Sequence, residues 1–95
     1  MEISIHAIDF KVRQPLKDLI QEKVDKLQKL NGALQNCDVY LKNEPSAKMV
    51  ELKLTMPNNI LFCTGHGTSF ESAVADSAEK MRRQLEKRHA KGHPQ

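Results

Sequence analysis

The chain has 95 residues and a formal net charge of +3, with 39% hydrophobic and 28% charged residues. This balance predicts one folded domain with a single modest core, and it argues against a disordered segment or a second domain. No apolar run approaches the ~20 residues of a membrane span, and the N-terminal residues alternate instead of forming a signal peptide's apolar block. We therefore expect a cytoplasmic protein.

The first two predicted elements are a strand and an amphipathic helix. Ile3 and Ile5 alternate with polar residues, which is typical of a half-buried strand. Pro15 suits the first turn of the helix, and we expect Asn31-Gly32 to end it in the left-handed conformation. The apolar residues between them recur at steps of three and four and so share one helix face: Leu16, Leu19, Ile20, Val24, Leu27 and Leu30.

Period-two alternation then returns over three more predicted strands. The apolar positions of the first two are Cys37, Val39 and Leu41, then Val50, Leu52, Leu54 and Met56. Pro57-Asn58-Asn59 is a turn signal, so the run from Ile60 to Thr64 is predicted to pair back as a hairpin that ends at Gly65 and Gly67. Cys37 and Cys63 lie in apolar runs without metal-binding spacing, and we expect two buried free thiols.

The last predicted element is a second helix. Thr68 and Glu71 have the spacing of a capping box, with Thr68 as the cap. Gly92 and Pro94 predict that the helix frays there. We expect one domain over residues 1–91 and a short flexible tail over 92–95, with no C-terminal dimerisation domain. The predicted buried face consists of Phe70, Val74, Ser77, Ala78, Met81 and Leu85, with Ala73 at its edge.

The element order β-α-β-β-β-α predicts an α+β fold. A helix of about 16 residues between the first two strands forms a right-handed crossover, so these strands are predicted to be parallel and the remaining pairs antiparallel. The most economical packing lays both helices on one face of a four-stranded mixed sheet. This arrangement resembles that of the double-stranded-RNA-binding domain, and its other face is expected to stay open to solvent.

Positive charge is concentrated in the two predicted helices. Residues 11–29 carry six Lys/Arg against three acids, and residues 80–95 carry six against one. At 100° per residue, Lys80, Arg83, Lys87 and Lys91 fall within about 80° of arc beside the apolar stripe. If the helices pack side by side, their bases can line one shared surface. From charge alone, this pattern favours phosphate binding, with a solvated helix end or an acidic protein partner as alternatives.

Groups that carry catalysis or bind metals are scarce. Ser69 and Ser72 have no histidine at activating spacing, and Gly65-His66-Gly67 is too short to cradle a phosphate. His89 and His93 are four residues apart on a possible helix end, but the fraying predicted there argues against a physiological metal site. A small hydrolase would need a nucleophile that the sequence does not offer. We expect no enzyme, no cofactor, no metal and no small-molecule substrate.

Three segments also carry a family resemblance. They are LKNEP (residues 41–45), TMPNNILFCTG (55–65) and EKMRRQLEKRHAKG (79–92), in this order around the β-α-β-β-β-α pattern. Together they resemble the ribosome hibernation promoting factor and ribosome-associated inhibitor family, of which the chain looks like a short form. It departs from the family at Ser69-Phe70-Glu71, where the family has Asp-Met-Tyr or Asp-Leu-Tyr at the start of the second helix.

The resemblance implies a protein that binds the small ribosomal subunit between head and platform and blocks transfer RNA and messenger RNA sites in starved or stationary cells. Its partners would be the 16S rRNA of the small subunit and the 70S ribosome, and the free protein would be monomeric. The alternative is a general structured-RNA-binding protein that acts off the ribosome. The family's RNA-facing bases match Lys17, Lys23, Lys26, Lys29, Lys80, Arg83, Lys87 and Lys91, and charge and geometry alone add Arg82 and Arg88.

Overall fold

A computed structural model describes the backbone of residues 1–92 and the side chains through residue 87. The elements are β1 (Glu2–Ala7), α1 (Gln14–Leu30), β2 (Asn36–Asn43), β3 (Lys48–Met56), β4 (Asn59–Gly67) and α2 (Phe70–Gly92). Residues 93–95 of the expected tail lie outside this range, whereas Gly92 still belongs to α2. No helix in the described part of the chain is long and apolar enough to cross a membrane.

The strands form one mixed sheet in the order β1-β2-β3-β4. β1 and β2 are parallel and the other two pairs are antiparallel, as the crossover argument predicts. Because side chains alternate along each strand, the registers place residues that face the same side of the sheet next to each other. One such row runs from Ile5 through Val39 and Leu52 to Cys63, on the face that the helices cover. The predicted α+β fold is confirmed.

The core lies between that sheet face and the two helices. α1 contributes Leu16, Ile20, Val24 and Leu27, all buried. Two predictions about the helix faces were wrong. Ala73 is fully buried instead of lying at the edge, because α2 runs directly over β4. Leu30 is 44% exposed, because it is the last residue of α1 and lies at the rim of the groove between the helices.

The end of α1 does not use the predicted left-handed stop. Asn31 is extended (φ −150°, ψ 105°), and its backbone N–H donates to the carbonyls of Leu27 and Gln28. The side-chain oxygen of Asn31 then accepts a hydrogen bond from the N–H of Ala33 at 2.9 Å, which turns the chain without a positive φ. Asp9, with φ 63°, is the one non-glycine residue in the left-handed region within residues 1–92.

The cap of α2 is Ser69, one residue later than predicted. The Ser69 Oγ accepts from the N–H of Ser72 at 3.1 Å, and the Ser72 Oγ accepts from the N–H of Ser69 at 3.2 Å. These reciprocal bonds are those of a capping box, with Ser72 in the position that Glu71 was predicted to fill. Glu71 remains in the first turn, where its negative charge faces the positive end of the helix dipole.

Candidate nucleic-acid interface

Four of the predicted RNA-facing bases lie on α1. Lys17, Lys26 and Lys29 are exposed, whereas Lys23 is half-buried beside the second helix. Among the described side chains, Lys26 is the one of these four that meets a carboxylate, with its Nζ 3.7 Å from Glu22. A contact of that length between two exposed groups is weak. The α1 bases are therefore available to an anionic partner.

A groove between the helices brings Lys23 and Lys26 of α1 together with Arg82 of α2. We call these three the groove bases. Glu79 lines the same groove beside the buried side chain of Ala78. The groove thus combines three positive groups with one negative group over an apolar base, so a phosphate that enters it meets a net positive charge.

Carboxylates hold Arg82 in place. Its Nε donates to Glu79 at 3.0 Å, and its other nitrogens contact Glu79 and Glu86 at 2.5 and 2.6 Å. The Nε of Arg83 lies 3.3 Å from the same Glu79 carboxylate. The hydrogen bonds from Arg82, and after them the charges of Arg82 and Arg83, lower the pKa of Glu79 to about 2. Glu79 is therefore ionised at neutral pH and offsets part of the positive charge of α2.

The remaining described bases of α2 lie away from the groove. Lys80 faces the edge of β4, where its Nζ donates to the Thr64 carbonyl at 3.1 Å and lies 3.1 Å from Asp76. Arg83 is 71% exposed at its side chain, and Lys87 is exposed. We call Lys80, Arg83 and Lys87 the outer bases. The structure thus divides the predicted shared surface into a groove set and an outer set, on opposite flanks of α2.

The charge of α2 is balanced through residue 87. Its bases Lys80, Arg82, Arg83 and Lys87 are matched in number by Glu71, Asp76, Glu79 and Glu86. Two further predicted RNA-facing residues, Arg88 and Lys91, belong to the last turns of α2, and their side chains lie outside the described residues. By sequence, the excess positive charge of the helix belongs to those last turns.

Two functional candidates were missed by the sequence analysis. The Asp76 carboxylate accepts a hydrogen bond from the backbone N–H of His66 at 3.0 Å, and the Gln84 Nε2 donates to the Phe62 carbonyl at 3.0 Å. The His66 bond and then the Lys80 side chain lower the pKa of Asp76 below its ordinary value. The signal in the sequence was the spacing of four residues from Asp76 to Lys80 and from Lys80 to Gln84, which places them on one side of α2. The backbone groups of β4 that point away from β3 recur every two residues.

Close approach of α2 to β4 depends on two glycines. A Cβ at Gly65 would overlap the backbone of Ala73 and Ser77, and one at Gly67 would overlap Ser72. β4 continues through Gly65 and ends at Gly67, the second of the two glycines at which its end was predicted. The small residues let the helix lie directly on the strand, so the position of α2 is fixed by backbone contact as well as by side chains.

The open sheet face lacks the features of a base-stacking surface. The ring of Tyr40 stacks on His6 with centroids 4.7 Å apart, and the His6 Nε2 is 3.1 Å from Asp38. Phe62, which is 53% exposed, lies two strands away from Tyr40 and in another register row. Successive bases of a single strand would need aromatic rings closer together than this.

The described side chains include no group of three or more His, Cys, Asp or Glu residues that could hold a metal ion. The side chains of His89 and His93 lie outside the described residues. Cys37 and Cys63 are both buried and free, as predicted.

Comparison with known proteins identifies relatives along nearly the whole chain. The sequence model of the Sigma 54 modulation protein / S30EA ribosomal protein family matches residues 3–93. The chain is 28% identical over 91 residues to a ribosome hibernation promoting factor of Pseudomonas putida strain KT2440, and the match covers 96% of this chain and 89% of that protein.

Two solved structures share the fold. One is a ribosomal subunit interface protein from Coxiella burnetii, with a TM-score of 0.88 and 18% identity over 95% of this chain and 99% of that one. The other is the N-terminal domain of Thermus thermophilus Protein Y, with a TM-score of 0.81 and 12% identity over 92% of this chain and 98% of that one.

Proposed function

Since the chain belongs to the Sigma 54 modulation protein / S30EA ribosomal protein family, we propose that it is a ribosome hibernation factor that silences translation by binding the small subunit. In this role it is a cytoplasmic, non-catalytic protein that needs no cofactor. Its targets are the 16S rRNA of the small subunit and the 70S ribosome. Bound between head and platform, it blocks transfer RNA and messenger RNA sites under starvation or in stationary phase.

The RNA contacts in this proposal are made by both helices. Lysine and arginine side chains neutralise phosphates and release counterions, so binding weakens as salt rises and does not depend on base identity. Selectivity then comes from the fit of a small rigid protein into a preformed RNA channel. The proposed contact residues are Lys17, Lys23, Lys26, Lys29, Lys80, Arg82, Arg83, Lys87, Arg88 and Lys91.

The family match over residues 3–93 carries the proposal, because it spans both basic helices and every strand. The exposure of Lys17, Lys26, Arg83 and Lys87 is the supporting structural observation. A single domain over residues 1–91 that is monomeric when free belongs to the same proposal.

The test is co-sedimentation of the purified protein with 30S subunits and 70S ribosomes across a salt series, beside a cell-free translation assay. We expect saturable binding near one copy per small subunit, weaker at high salt, with loss of translation. A variant with Arg83→Gln and Lys87→Gln should bind more weakly. Its matched control, Lys42→Gln with Lys53→Gln, removes the same charge from the open sheet face and should bind as the wild type does.

Two outcomes would count against the proposal. Absence of binding to 30S subunits at low salt would refute it. Equal affinity for the ribosome and for a plain A-form RNA duplex would favour the alternative, a general structured-RNA-binding protein that acts off the ribosome, because shape selectivity would then be absent.

A further inference from the structure

β4 is an edge strand, because β3 is its one neighbour in the sheet. An edge strand leaves the N–H and C=O groups of every second residue without a strand partner, and such a row can pair with another chain. On β4, three alternate residues, Phe62, Thr64 and His66, instead receive partners from α2. Three of the outward backbone groups of the strand therefore have partners from within the same domain.

The partners on α2 are Asp76, Lys80 and Gln84, spaced four residues apart. Asp76 accepts from the N–H of His66 at 3.0 Å, while Lys80 and Gln84 donate to the carbonyls of Thr64 and Phe62 at 3.1 and 3.0 Å. Four helical residues rise about 6 Å, and two strand residues span about 6.8 Å, so successive side chains reach successive groups. We call Asp76, Lys80 and Gln84 the edge clamp.

The outer bases sit on the same side of the helix as the clamp. Arg83 lies seven residues, or two helical turns, beyond Asp76, and Lys87 lies seven residues beyond Lys80. The position of the clamp therefore sets the direction in which these two exposed bases point. Lys80 belongs to both sets: its ammonium has three N–H groups, of which Thr64 and Asp76 take two, and the third stays available for a phosphate.

We propose that Asp76 and Gln84 are positioning residues of the RNA-binding helix: through the β4 backbone they hold α2 in one register and so orient Arg83 and Lys87 toward RNA. This role rests on the proposed function. Neither residue supplies positive charge, so both act through geometry. Gln84 also donates to the Sγ of Cys63 at 3.0 Å, which ties it to the core beneath the strand.

Substitutions of Asp76 distinguish its effect on RNA binding through the position of α2 from its effect through negative charge. Its carboxylate lies beside bases that meet phosphates, so if charge alone mattered, its removal would strengthen RNA binding. If the residue positions α2, its removal weakens binding. Asp76→Ala removes both the charge and the acceptor for His66, whereas Asp76→Asn removes the charge and keeps an acceptor oxygen. Glu71→Ala is the matched control, because Glu71 is an exposed acid on the same helix and makes no side-chain hydrogen bond or ion pair with β4 among the described residues.

The experiment uses the full chain and two measurements: amide hydrogen exchange of His66 without ribosomes, and affinity for 30S subunits at fixed salt. For Asp76→Ala we expect about tenfold faster exchange at His66 and about three- to tenfold weaker 30S binding, as the loss of one hydrogen bond implies. Asp76→Asn should restore both values to within about twofold of the wild type, because the amide oxygen of asparagine still accepts the hydrogen bond from the N–H of His66. Glu71→Ala should leave His66 exchange unchanged.

Several results would overturn the proposal. Wild-type exchange at His66 in Asp76→Ala would mean that the clamp contact does not form, and tighter 30S binding in that variant would mean that charge alone acts. As a second variant, Gln84→Met changes no charge and should weaken 30S binding with an unchanged salt dependence; wild-type affinity would remove Gln84 from the positioning role. If the wild type itself fails to bind 30S subunits, the proposed function fails, whereas His66 exchange still decides whether the clamp forms.

Discussion

Gly65 of β4 lies directly beneath the backbone of Ser77 in α2, and no Cβ fits between them. Ser77 is fully buried at this crossing, and its hydroxyl donates to the carbonyl of Val74 at 2.9 Å within the helix. A glycine on the strand and a serine on the helix therefore set the distance between the two elements that carry the edge clamp.

Replacement of Gly65 by alanine should force α2 away from the strand. We expect Gly65→Ala to lower the free energy of unfolding by about 1–3 kcal/mol, the usual cost of overpacking. The control is Gly32→Ala, where the new Cβ meets nothing within 4 Å and φ is not positive. That variant should be neutral or more stable by up to ~1 kcal/mol, because alanine restricts the unfolded chain. Urea unfolding measures both, and equal stabilities would contradict the close contact.

The cap of α2 can be tested by comparison of adjacent residues. Ser69→Ala should cost about 1 kcal/mol of unfolding free energy, because the Oγ that accepts from the N–H of Ser72 is lost. Thr68→Ala, the change at the residue that the sequence predicted as the cap, should cost less than about 0.5 kcal/mol because Thr68 is exposed. A larger effect at Thr68 than at Ser69 in thermal unfolding would reverse the assignment.

The two arginines of α2 should differ in their effect on salt dependence. Arg83 is exposed, and Arg83→Gln should reduce the slope of log affinity for 30S subunits against log salt by about 0.7 to 0.9, the value for one lost phosphate contact. Arg82 must first leave two carboxylates, so Arg82→Gln should change the slope less. The same salt series measures both variants, and a larger change for Arg82 would indicate that the groove contributes more than the outer bases.

Acid should destabilise the protein through Asp76 and Glu79. Their pKa values in the folded protein lie below the ordinary 3.8 and 4.5, so the unfolded chain binds more protons than the folded one in this range. The stability that they contribute is complete above pH 4.5 and is lost as the pH falls through the folded values, about 2 for Glu79. We expect the melting temperature of the double variant Asp76→Asn/Glu79→Gln to fall less than that of the wild type between pH 5 and pH 2.5. An equal fall in melting temperature for the two proteins would show that Asp76 and Glu79 do not cause the acid sensitivity.

Both thiols should react slowly in the folded protein. Burial raises the pKa of Cys37 to about 12, and burial also raises that of Cys63, although the Gln84 hydrogen bond and the Lys80 charge oppose the shift there. At pH 7.5 a thiol reagent such as Ellman's should react at least about tenfold more slowly with the native chain than with the urea-unfolded chain, because little thiolate is present and access is blocked. Fast native labelling would contradict the buried positions, and Cys63 should react before Cys37.

The fold could be predicted because each of its elements has a simple period. The steps of three and four from Leu16 to Leu27 and the alternation from Val50 to Leu54 each identify a buried face, and the crossover rule then fixes the parallel pair. The end of α1 could not be predicted in detail, because the side chain of Asn31 can either permit a left-handed turn or make the Ala33 hydrogen bond that the structure uses.

The candidate site was less predictable than the fold. Sequence shows which bases share a flank of α2, but not that Glu79 and Glu86 hold Arg82 or that Asp76 and Thr64 hold Lys80. These contacts depend on rotamers and on the distance between helix and strand, which arise only in the packed structure. Likewise, Gln84 has no charge and so gave no signal in a search for phosphate-binding residues.

The edge clamp also has a natural limit on its length. The helical step of four residues and the strand step of two differ by about 0.8 Å, and this difference accumulates with each additional pair. Flexible side chains can compensate for this difference over three pairs. At a fourth pair the helical residue and its strand partner would be displaced by about 2.4 Å along the strand, which is close to the length that two additional methylene groups provide. A straight helix can therefore protect only a short exposed strand in this way, and any lengthening of β4 would need a bend, a bulge or a second protecting element.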